Sequence, residues 1–294
     1  MKVLITGANG QLGRSLLKLH PEFPDMVWIP TDYPELNITD EKAIELWLSK
    51  SNAGAVVNCA GYTAVDQAES EPDQAYRINT MGPGYLAQAA KQAGIPLIHL
   101  STDYVFDGVQ TQPYRESDTP RPTSVYGKTK LAGEERIRAS GCTYVIIRTS
   151  WLYSEFGKNF FLTMLRLGRE KEQIGVVSDQ TGSPTYAGDL ARAIILVLKQ
   201  LKGSANQITK PGIFHYCNQG IATWFDFATR IMDLAQLPCT VNAIQTKDYP
   251  LPASRPAYSV LDTTLIHEAF GITIPHWTDG LYSCYKEYLN NNKP

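Results

Sequence analysis

Short apolar runs alternate with helix-compatible stretches along the first half of the chain. Runs rich in Val, Leu and Ile, without polar alternation, predict buried strands at residues 2–6, 27–29, 55–59, 97–101 and 143–149. The intervening stretches predict helices over 12–20, 41–50, 72–93 and 126–139. Continuous apolar strands separated by helices are typical of a parallel sheet covered on both faces. The pattern therefore predicts an α/β fold with a doubly wound parallel sheet.

A glycine loop follows the first predicted strand. Gly7, Gly10 and Gly13 lie between the strand and a helix whose apolar positions begin at Leu12. In this order Gly7 permits a tight turn, Gly10 lets the backbone approach a pyrophosphate, and Gly13 lets the helix pack closely on the strand. The phosphates would lie at the positive end of the helix. The GxxGxxG spacing favours a Rossmann-type dinucleotide site of the short-chain dehydrogenase/reductase kind over a plain βα turn.

Asp32 is the predicted ribose contact. It lies nineteen residues beyond Gly13, at the end of the apolar run 27–29. A carboxylate at this point accepts hydrogen bonds from a ribose diol, which favours NADH and repels the 2′-phosphate of NADPH. Few Lys or Arg residues lie nearby, so both cofactors stay open. The alternative role of Asp32 is to begin a turn before Pro34.

The pattern changes after residue 150. Helices are predicted over 157–168, 187–201 and 223–235, while 173–186 is rich in turn residues and 249–256 in proline. We expect a smaller C-terminal lobe over the carboxyl ends of the strands, where open α/β sheets bind ligands. The predicted organisation is a dinucleotide-binding domain over 1–150, with returning segments at about 186–217, and a substrate-binding lobe over 151–185 and 218–294.

A hydroxyl, a phenol and an ammonium group lie where a hydride-transfer enzyme needs them. Tyr126 and Lys130 are four positions apart in a predicted helix and share one face, and Thr102 ends an apolar strand. We expect the ammonium group to lower the pKa of the phenol from about 10 toward the operating pH, so that Tyr126 exchanges a proton with a substrate oxygen. Such a pair also occurs on solvated helix faces, and the glycine loop is what favours catalysis.

The composition excludes several classes of partner. The chain has 294 residues, of which 43% are hydrophobic and 19% charged, enough for one large or two modest globular units. A net charge of −2 without a Lys/Arg cluster predicts neither a nucleic acid nor an anionic membrane as partner. The first strand begins without a leader segment, and no apolar run approaches the ~20 residues that span a bilayer. We therefore expect a cytoplasmic protein.

The Cys and His residues show no metal-ligand spacing. The five cysteines are far apart and form no CxxC, and Cys59 and Cys217 lie in apolar runs, which favours buried thiols over disulfides. The five histidines are equally scattered. No metal site is predicted.

Seven motifs together resemble those of the dTDP-4-dehydrorhamnose reductases, a family of the extended short-chain dehydrogenase/reductase superfamily. They are GANGQLG at 7–13, VNCAGYTAVDQAESEP at 57–72, STDYVFDG at 101–108, VYGKTKLAGE at 125–134, RTSWLY at 148–153, DQTGSPT at 179–185 and PASRP at 252–256. The similarity runs through essentially the whole chain, and these motifs are more specific than generic dehydrogenase signatures.

The resemblance implies a reaction and its catalytic residues. Hydride passes from NADPH or NADH to the 4-keto carbon of dTDP-4-dehydrorhamnose, which gives dTDP-L-rhamnose for cell-surface polysaccharide. Tyr126 protonates the developing alkoxide. Lys130 orients the nicotinamide ribose and tunes the phenol, and Thr102 takes the place of the usual serine.

The resemblance also implies the contacts of both ligands. Trp151 offers an apolar face to the hexose, and Arg255 clamps the pyrophosphate, with a plain surface role for Arg255 as the alternative. The other implied substrate contacts are Val65, Thr102, Asp103, Tyr104 and Tyr126 at the sugar, and Asn159, Gln180 and Thr185 at the dTDP end. The implied cofactor contacts are Gly7, Asn9, Gly10, Gln11, Leu12, Gly13, Asp32, Leu36, Asn37, Ala60, Gly61, Tyr62, Asn79, Tyr126 and Lys130.

Two positions depart from the family pattern. Tyr258 stands where the RPxNS pattern has asparagine, which puts phosphate contacts there in doubt. Ser15 stands where some relatives carry an acidic residue that joins a dimer through a metal ion. The metal is therefore not carried over, and a homodimer stays open.

Two rival functions remain. A sugar-nucleotide dehydratase, an epimerase or another 4-ketoreductase shares the glycine loop, the Tyr-Lys pair and the fold. Dehydratases carry Thr-Asp-Glu at the strand end, whereas Tyr104 follows Thr102-Asp103 here, so the base for β-elimination is missing. The non-catalytic rival is a regulatory subunit of the methionine adenosyltransferase type, against which the intact Thr102, Tyr126 and Lys130 argue only weakly.

Overall fold

A six-stranded parallel sheet organises the larger part of the molecule. The structure is a computed structural model that describes residues 1–202 and 212–292. In chain order its strands are β1 (Lys2–Thr6), β2 (Val27–Thr31), β3 (Ala55–Asn58), β4 (Leu97–Thr102), β5 (Tyr144–Thr149), β6 (Leu152–Tyr153), β7 (Gln173–Val177), β8 (Thr181–Gly182), β9 (Thr185–Tyr186), β10 (Gly212–His215), β11 (Ala222–Thr223) and β12 (Thr240–Ile244).

The order of the strands fixes where a ligand binds. The sheet runs β2, β1, β3, β4, β5, β10, with all neighbours parallel. The chain winds outward in opposite directions from β1 and β3, and open α/β sheets bind ligands beyond the carboxyl ends of the strands at such a switch point. The predicted doubly wound parallel fold is confirmed, and all five predicted runs form strands of this sheet.

Helices cover both faces of this sheet. In chain order they are α1 (Gln11–Lys18), α2 (Glu41–Ser51), α3 (Val65–Ser70), α4 (Pro72–Tyr76), α5 (Gly82–Ala93), α6 (Val125–Ser140), α7 (Phe160–Glu170), α8 (Ala187–Lys202), α9 (Trp224–Ala235), α10 (Thr264–Phe270) and α11 (Trp277–Asn291). Val3 and Ile5 of β1 pack in the cluster beneath α1 and α8, whereas Leu4 packs in the opposite cluster beneath α2, α5 and α6. Burial on both faces explains why the strands lack polar alternation.

The predicted helix over 72–93 is interrupted. Pro72 occupies the first helical position as predicted, but a π-helical turn, Arg77–Met81, separates α4 from α5. The turn contains the fully buried Asn79, whose amide donates to the Tyr62 carbonyl at 3.0 Å and to the Thr129 hydroxyl at 3.2 Å. Single π turns of this kind occur often at functional sites, and apolar periodicity does not reveal them.

A second apolar cluster forms the core of a C-terminal lobe. It buries side chains from α7, α9 and α11, among them Phe161, Phe227 and Leu281. Three two-stranded pairs surround it, namely β7 with β12, β8 with β11 and β6 with β9. The stretch 173–186, predicted to be rich in turns, also contains the strand β7, which pairs with the distant β12 and includes Gly175.

The structure also bears on the predicted domains and thiols. The domain boundaries stay a prediction, and residues 203–211 and 293–294 of the two predicted domains lie outside the described residues. The five cysteines are free thiols, as expected. Within 1–202 and 212–292, no group of three or more His, Cys, Asp or Glu side chains is placed to hold a metal ion. In the same ranges, no helix has the length and apolar character needed to cross a membrane.

A buried ion pair fixes α6 on the sheet. Arg148 of β5 donates to both carboxylate oxygens of Glu134 on α6, at 2.9 Å from Nε and 2.7 Å from Nη2. The hydroxyl of Ser101 on β4 donates to the same carboxylate. The two charged side chains are 2% and 1% exposed. Ser101 lies opposite Arg148 in the sheet register, so the pair joins α6 to two adjacent strands.

Removing this ion pair is predicted to destabilise the fold. Glu134→Ala leaves the Arg148 guanidinium buried without a counter-ion, a change that typically costs about 3–5 kcal/mol. Urea unfolding followed by tryptophan fluorescence measures the loss in the free energy of unfolding. The matched control, Glu170→Ala, removes the exposed Arg166–Glu170 pair and should cost less than about 0.5 kcal/mol. Equally small losses in the two variants would contradict the structural role of Glu134.

Candidate active site

The predicted catalytic side chains meet at the carboxyl ends of β4 and β5. Thr102 is the last residue of β4, and Tyr126 is the second residue of α6. The Thr102 hydroxyl lies close enough to the Tyr126 phenol to lower its pKa. The Tyr104 and Tyr126 rings make an edge contact, with centroids 5.5 Å apart and planes at 76°. The phenol is therefore held between a hydroxyl and an aromatic ring.

The start of α6 approaches the β4 end very closely. Ser124 caps the helix by accepting from the Gly127 amide at 3.1 Å. A β carbon on Gly127 would collide with the Tyr104 carbonyl oxygen and come within 3.0 Å of Pro122. Gly127 is therefore needed to bring Tyr126 to Thr102. The motif VYGKTK contains this glycine, but its spacing alone did not reveal the contact.

Lys130 is buried against the sheet. Its side chain is on α6 one turn after Tyr126, and Nζ donates to the Leu100 carbonyl at 2.5 Å. A β carbon on Gly61 would lie 3.9 Å from Nζ and 3.4 Å from the Asn79 side-chain oxygen. The structure thus brings together Lys130, Gly61 and Asn79, and their predicted contact with the cofactor stays a prediction. Burial lowers the pKa of Lys130 to about 8, against the opposing charge of Glu134.

The expected effect on the phenol was wrong. Burial raises the pKa of Tyr126 to about 12, the hydrogen bond with Thr102 lowers it in part, and the charge of Asp103 raises it. Desolvation of the phenolate form is the largest cause of this rise in pKa. The charge of Lys130 does not offset it. The phenol is therefore protonated at neutral pH, which suits a proton donor.

Asp103 is a buried acid beside the same hydroxyl. It is 2% exposed, and Oδ1 accepts from the Thr102 hydroxyl at 3.0 Å. Oδ2 has no hydrogen-bond partner in the described part of the chain. Burial raises the pKa of Asp103 to about 6, while the nearby hydroxyl groups of Ser259 and Thr102 lower it in part. Its carboxylate has the capacity to accept a hydrogen bond from a bound hydroxyl group.

The glycine loop has the shape of a dinucleotide cradle. Gly7 has φ +68°, and a β carbon there would lie 2.6 Å from the Ala60 nitrogen. A β carbon on Gly13 would lie 2.5 Å from the Gly7 carbonyl oxygen, so the helix does pack closely on the loop. A β carbon on Gly10 would come close only to the Gly7 carbonyl oxygen, at 3.2 Å, among the described atoms. The backbone at Gly10 is thus open to a ligand, and the residues fit a bound pyrophosphate.

The acidic residue predicted for the ribose lies beside this cradle. Asp32 accepts from the Asn9 amide through Oδ2 and from the Tyr33 amide through Oδ1, both at 2.8 Å. Asp32 is half-buried. Each carboxylate oxygen retains a second lone pair, so the group is still able to accept from a diol.

The other predicted cofactor residues differ in what they offer. The side chains of Leu12 and Leu36 are buried in apolar clusters, so only their backbone is available to a ligand. Asn37 accepts from the Thr39 amide at 3.0 Å in the turn before α2. Ala60 and Tyr62 lie in the loop after β3. The Tyr62 backbone amide donates to the side-chain oxygen of Asn79 at 2.8 Å.

Trp151 is stacked on a residue that the sequence did not single out. The indoles of Trp151 and Trp224 have centroids 3.6 Å apart and planes at 8°. One broad face of Trp151 is therefore covered by protein. The family resemblance implies that an apolar face of Trp151 contacts the hexose, and only the part of the indole that Trp224 leaves uncovered is available for that contact. Nothing in the local pattern around Trp224 signalled the stack.

Arg255 is paired with a carboxylate. Its Nη1 and Nη2 donate to the two carboxylate oxygens of Asp66, at 2.8 and 2.7 Å, and Nη1 also donates to the Ala253 carbonyl. The hydrogen bonds from Arg255 lower the pKa of Asp66. The pair ties the segment around Arg255 to α3, which begins at Val65. The fork that was expected to hold a pyrophosphate thus holds a carboxylate in this structure.

The three residues predicted for the dTDP end have separate partners. Asn159 caps α7 by accepting from the Leu162 amide, and its side-chain NH₂ donates to Gln11 at 2.8 Å. Gln180 is buried and donates to the Thr246 hydroxyl at 3.0 Å. The side chain of Thr185 is fully buried in β9. Contacts of these residues with dTDP stay predictions.

Comparisons with known proteins agree on one family. The family model RmlD substrate binding domain matches residues 1–290. A dTDP-4-dehydrorhamnose reductase of Aggregatibacter actinomycetemcomitans is 42% identical, over 95% of this chain and 97% of its own length. The crystal structure of a Clostridium acetobutylicum dTDP-4-dehydrorhamnose reductase has a TM-score of 0.92 at 40% identity and covers 98% of this chain and 100% of that one.

A second crystal structure is that of a Bacillus anthracis dTDP-4-dehydrorhamnose reductase in complex with NADP. It has a TM-score of 0.90 at 38% identity and covers 97% of this chain and 99% of its own. Near-complete matches in sequence and in fold extend over both the sheet and the C-terminal lobe. The chain therefore belongs to the dTDP-4-dehydrorhamnose reductase family of the extended short-chain dehydrogenase/reductases.

Proposed function

We propose that this chain reduces the 4-keto group of dTDP-4-dehydrorhamnose with NADPH or NADH and releases dTDP-L-rhamnose. One observation carries the proposal: the Thr102 hydroxyl and the protonated Tyr126 phenol lie together at the carboxyl end of β4, with the buried Lys130 one turn further along α6. The relatives that match nearly the whole chain are named for this reaction.

The proton chemistry follows from the geometry of this site. A bound nicotinamide supplies the hydride in this type of reaction. Tyr126 donates its proton to the oxygen that becomes an alkoxide, and Thr102 holds that oxygen by hydrogen bonding. The ammonium group of Lys130 stabilises the phenolate that is left on Tyr126. A neutral ketone needs one proton and one hydride, so no further base is required.

The glycine loop is the proposed binding site of the cofactor's pyrophosphate. Gly10 offers open backbone at the start of α1, where phosphate groups are stabilised by the helix N-terminus. Asp32 accepts from the adenosine ribose, and Lys130 orients the nicotinamide ribose. A Bacillus anthracis relative binds NADP, whereas Asp32 favours NADH by charge, so the proposal covers both cofactors.

The substrate lies between the catalytic edge and the C-terminal lobe in this proposal. Val65, Asp103, Tyr104 and Trp151 face the sugar, and Arg255 attracts the pyrophosphate. The names of the relatives favour an enzyme over the regulatory-subunit alternative. Five free thiols are typical of a reducing compartment, which supports the proposed location in the cytoplasm.

Tyr126→Phe should lower kcat by about a hundredfold or more, because phenylalanine keeps the ring and removes the donated proton. The KM for the dTDP-sugar should change little. Oxidation of NADPH with dTDP-4-dehydrorhamnose as substrate measures both constants. Tyr282→Phe, at a tyrosine on α11 that is 61% exposed, is the control and should retain normal turnover. Near-normal turnover in Tyr126→Phe would remove this residue from the proton-donor role.

Turnover should fall as the pH rises through about 8, the pKa to which burial lowers Lys130. The group is charged below that pH and neutral above it, so kcat at pH 9 should be about a tenth of its plateau. Burial raises the pKa of Cys59 to about 12 and lowers that of His99, so neither neighbour titrates between pH 7 and 10. The kcat profile of Lys130→Met should be low and flat, and a retained inflection near pH 8 would contradict the assignment.

Arg255→Ala should raise the KM for the dTDP-sugar roughly tenfold or more, because a charge-assisted hydrogen bond worth about 1.5–3 kcal/mol is lost. The KM for NADPH should not change. Asp66→Asn is the discriminating variant, since it leaves the guanidinium in place and frees its fork for phosphate oxygens. We expect its KM to stay equal or fall. An equal rise in both variants would show that the Asp66–Arg255 pair only holds the loop.

A further inference from the structure

Trp151 is held in an unusual backbone conformation. Its φ of +48° lies in the left-handed region, which bulky L-residues rarely adopt. Such a conformation persists only where the surrounding structure determines it, and it occurs preferentially at ligand-binding sites. Trp151 follows the end of β5 by two residues, and Thr149 of β5 lies opposite Thr102 in the sheet. Trp151, with its unusual backbone conformation, therefore lies at the same edge of the sheet as the Thr102 hydroxyl.

Trp224 supplies a broad contact to this indole. The chain has five tryptophans, and Trp151 with Trp224 is the one tryptophan pair that stacks within the described ranges. Aromatic pairs usually have centroids about 4.5–7 Å apart, whereas these are 3.6 Å apart and nearly parallel. The two rings therefore overlap almost completely, and Trp151 cannot tilt toward Trp224.

Trp224 is itself fixed in place. It is the first residue of α9, where Thr223 and Asp226 form a capping box through hydrogen bonds of 3.0 and 2.9 Å. The Phe160 ring packs against Trp224 with centroids 4.6 Å apart. A residue fixed by a helix cap and a neighbouring ring offers a rigid surface to Trp151.

Gly182 meets the same indole. A β carbon on Gly182 would lie 2.5 Å from Cε2 and 2.8 Å from Cζ2 and Nε1 of Trp151. The pairing of β8 with β11 sets Gly182 opposite Ala222, two residues before Trp224. One strand pair thus positions both of the groups that confine the Trp151 ring.

We propose that Trp224 is a positioning residue for the sugar: by stacking on Trp151 it sets the plane of the indole that the hexose contacts. This inference rests on the proposed function, in which Trp151 touches the sugar of the dTDP-linked substrate. Trp224 acts through Trp151. Since Thr102, Tyr126 and Lys130 are held by other contacts, loss of Trp224 weakens sugar binding while the proton and hydride chemistry continues.

Steady-state kinetics with dTDP-4-dehydrorhamnose test this role. Trp224→Ala should raise the KM for the sugar nucleotide about tenfold, with kcat and the KM for NADPH within about twofold of wild type. Trp224→Phe keeps an aromatic surface and should recover most of the affinity. Leu234→Ala is the matched control, because it also removes packing from α9 and the C-terminal apolar cluster. Its KM should remain at the wild-type value.

Circular dichroism tests the stack apart from activity. Two overlapping indoles couple excitonically, so the wild type should show an ultraviolet couplet that both Trp224 variants lose and that Trp47→Phe, at a distant tryptophan, retains. Loss of the couplet in Trp224→Ala with an unchanged or lower KM would overturn the proposal. So would an equal rise in KM in Leu234→Ala, or a wild type without the couplet. A wild type that shows the couplet but does not reduce the dTDP-sugar would overturn the proposed function, and the positioning role with it.

Discussion

The buried ion pair between Arg148 and Glu134 is the constraint on which the site depends. Glu134 lies one helical turn after Lys130 and two after Tyr126, so one face of α6 carries the phenol, the ammonium group and the anchoring carboxylate. Arg148 and Ser101 hold that carboxylate to the two strands whose ends form the site. The two charges are 2% and 1% exposed, so a shift of α6 along the sheet that separated them would leave a buried charge without a partner.

Burial at this edge also sets the proton chemistry. Removing water favours the neutral form of each isolated group, which raises the pKa of Tyr126 to about 12 and lowers that of Lys130 to about 8. A phenol that keeps its proton and an ammonium group that is charged near neutral pH together suit donation to a ketone oxygen. The same desolvation raises the pKa of the nearby Asp103 to about 6.

The C-terminal lobe completes the site through contacts between distant parts of the chain. Asp66 and Arg255 are 189 residues apart and tie α3 to the proline-rich segment beside the catalytic edge. Trp224 reaches back to Trp151 from the start of α9. These contacts converge on the carboxyl end of the sheet, where the strand order places a ligand. In the proposed function, substrate recognition is thus built on α9, α3 and loops, and the chemistry on β4 and α6.

The parallel sheet, the glycine loop and the grouping of Thr102, Tyr126 and Lys130 were predictable from the sequence. The strands, the glycine loop and the Tyr126–Lys130 pair each rest on spacing within one strand, turn or helix, which is read directly from the chain, whereas Thr102 on β4 was grouped with the pair on α6 because of the chemistry that hydride transfer needs. The tertiary structure alone decided the pKa of Tyr126, the carboxylate partner of Arg255, the π-helical turn at Asn79 and the stack of Trp224 on Trp151. Desolvation and contacts between remote segments arise only when the chain is packed, so a local pattern of apolar and polar residues does not predict them.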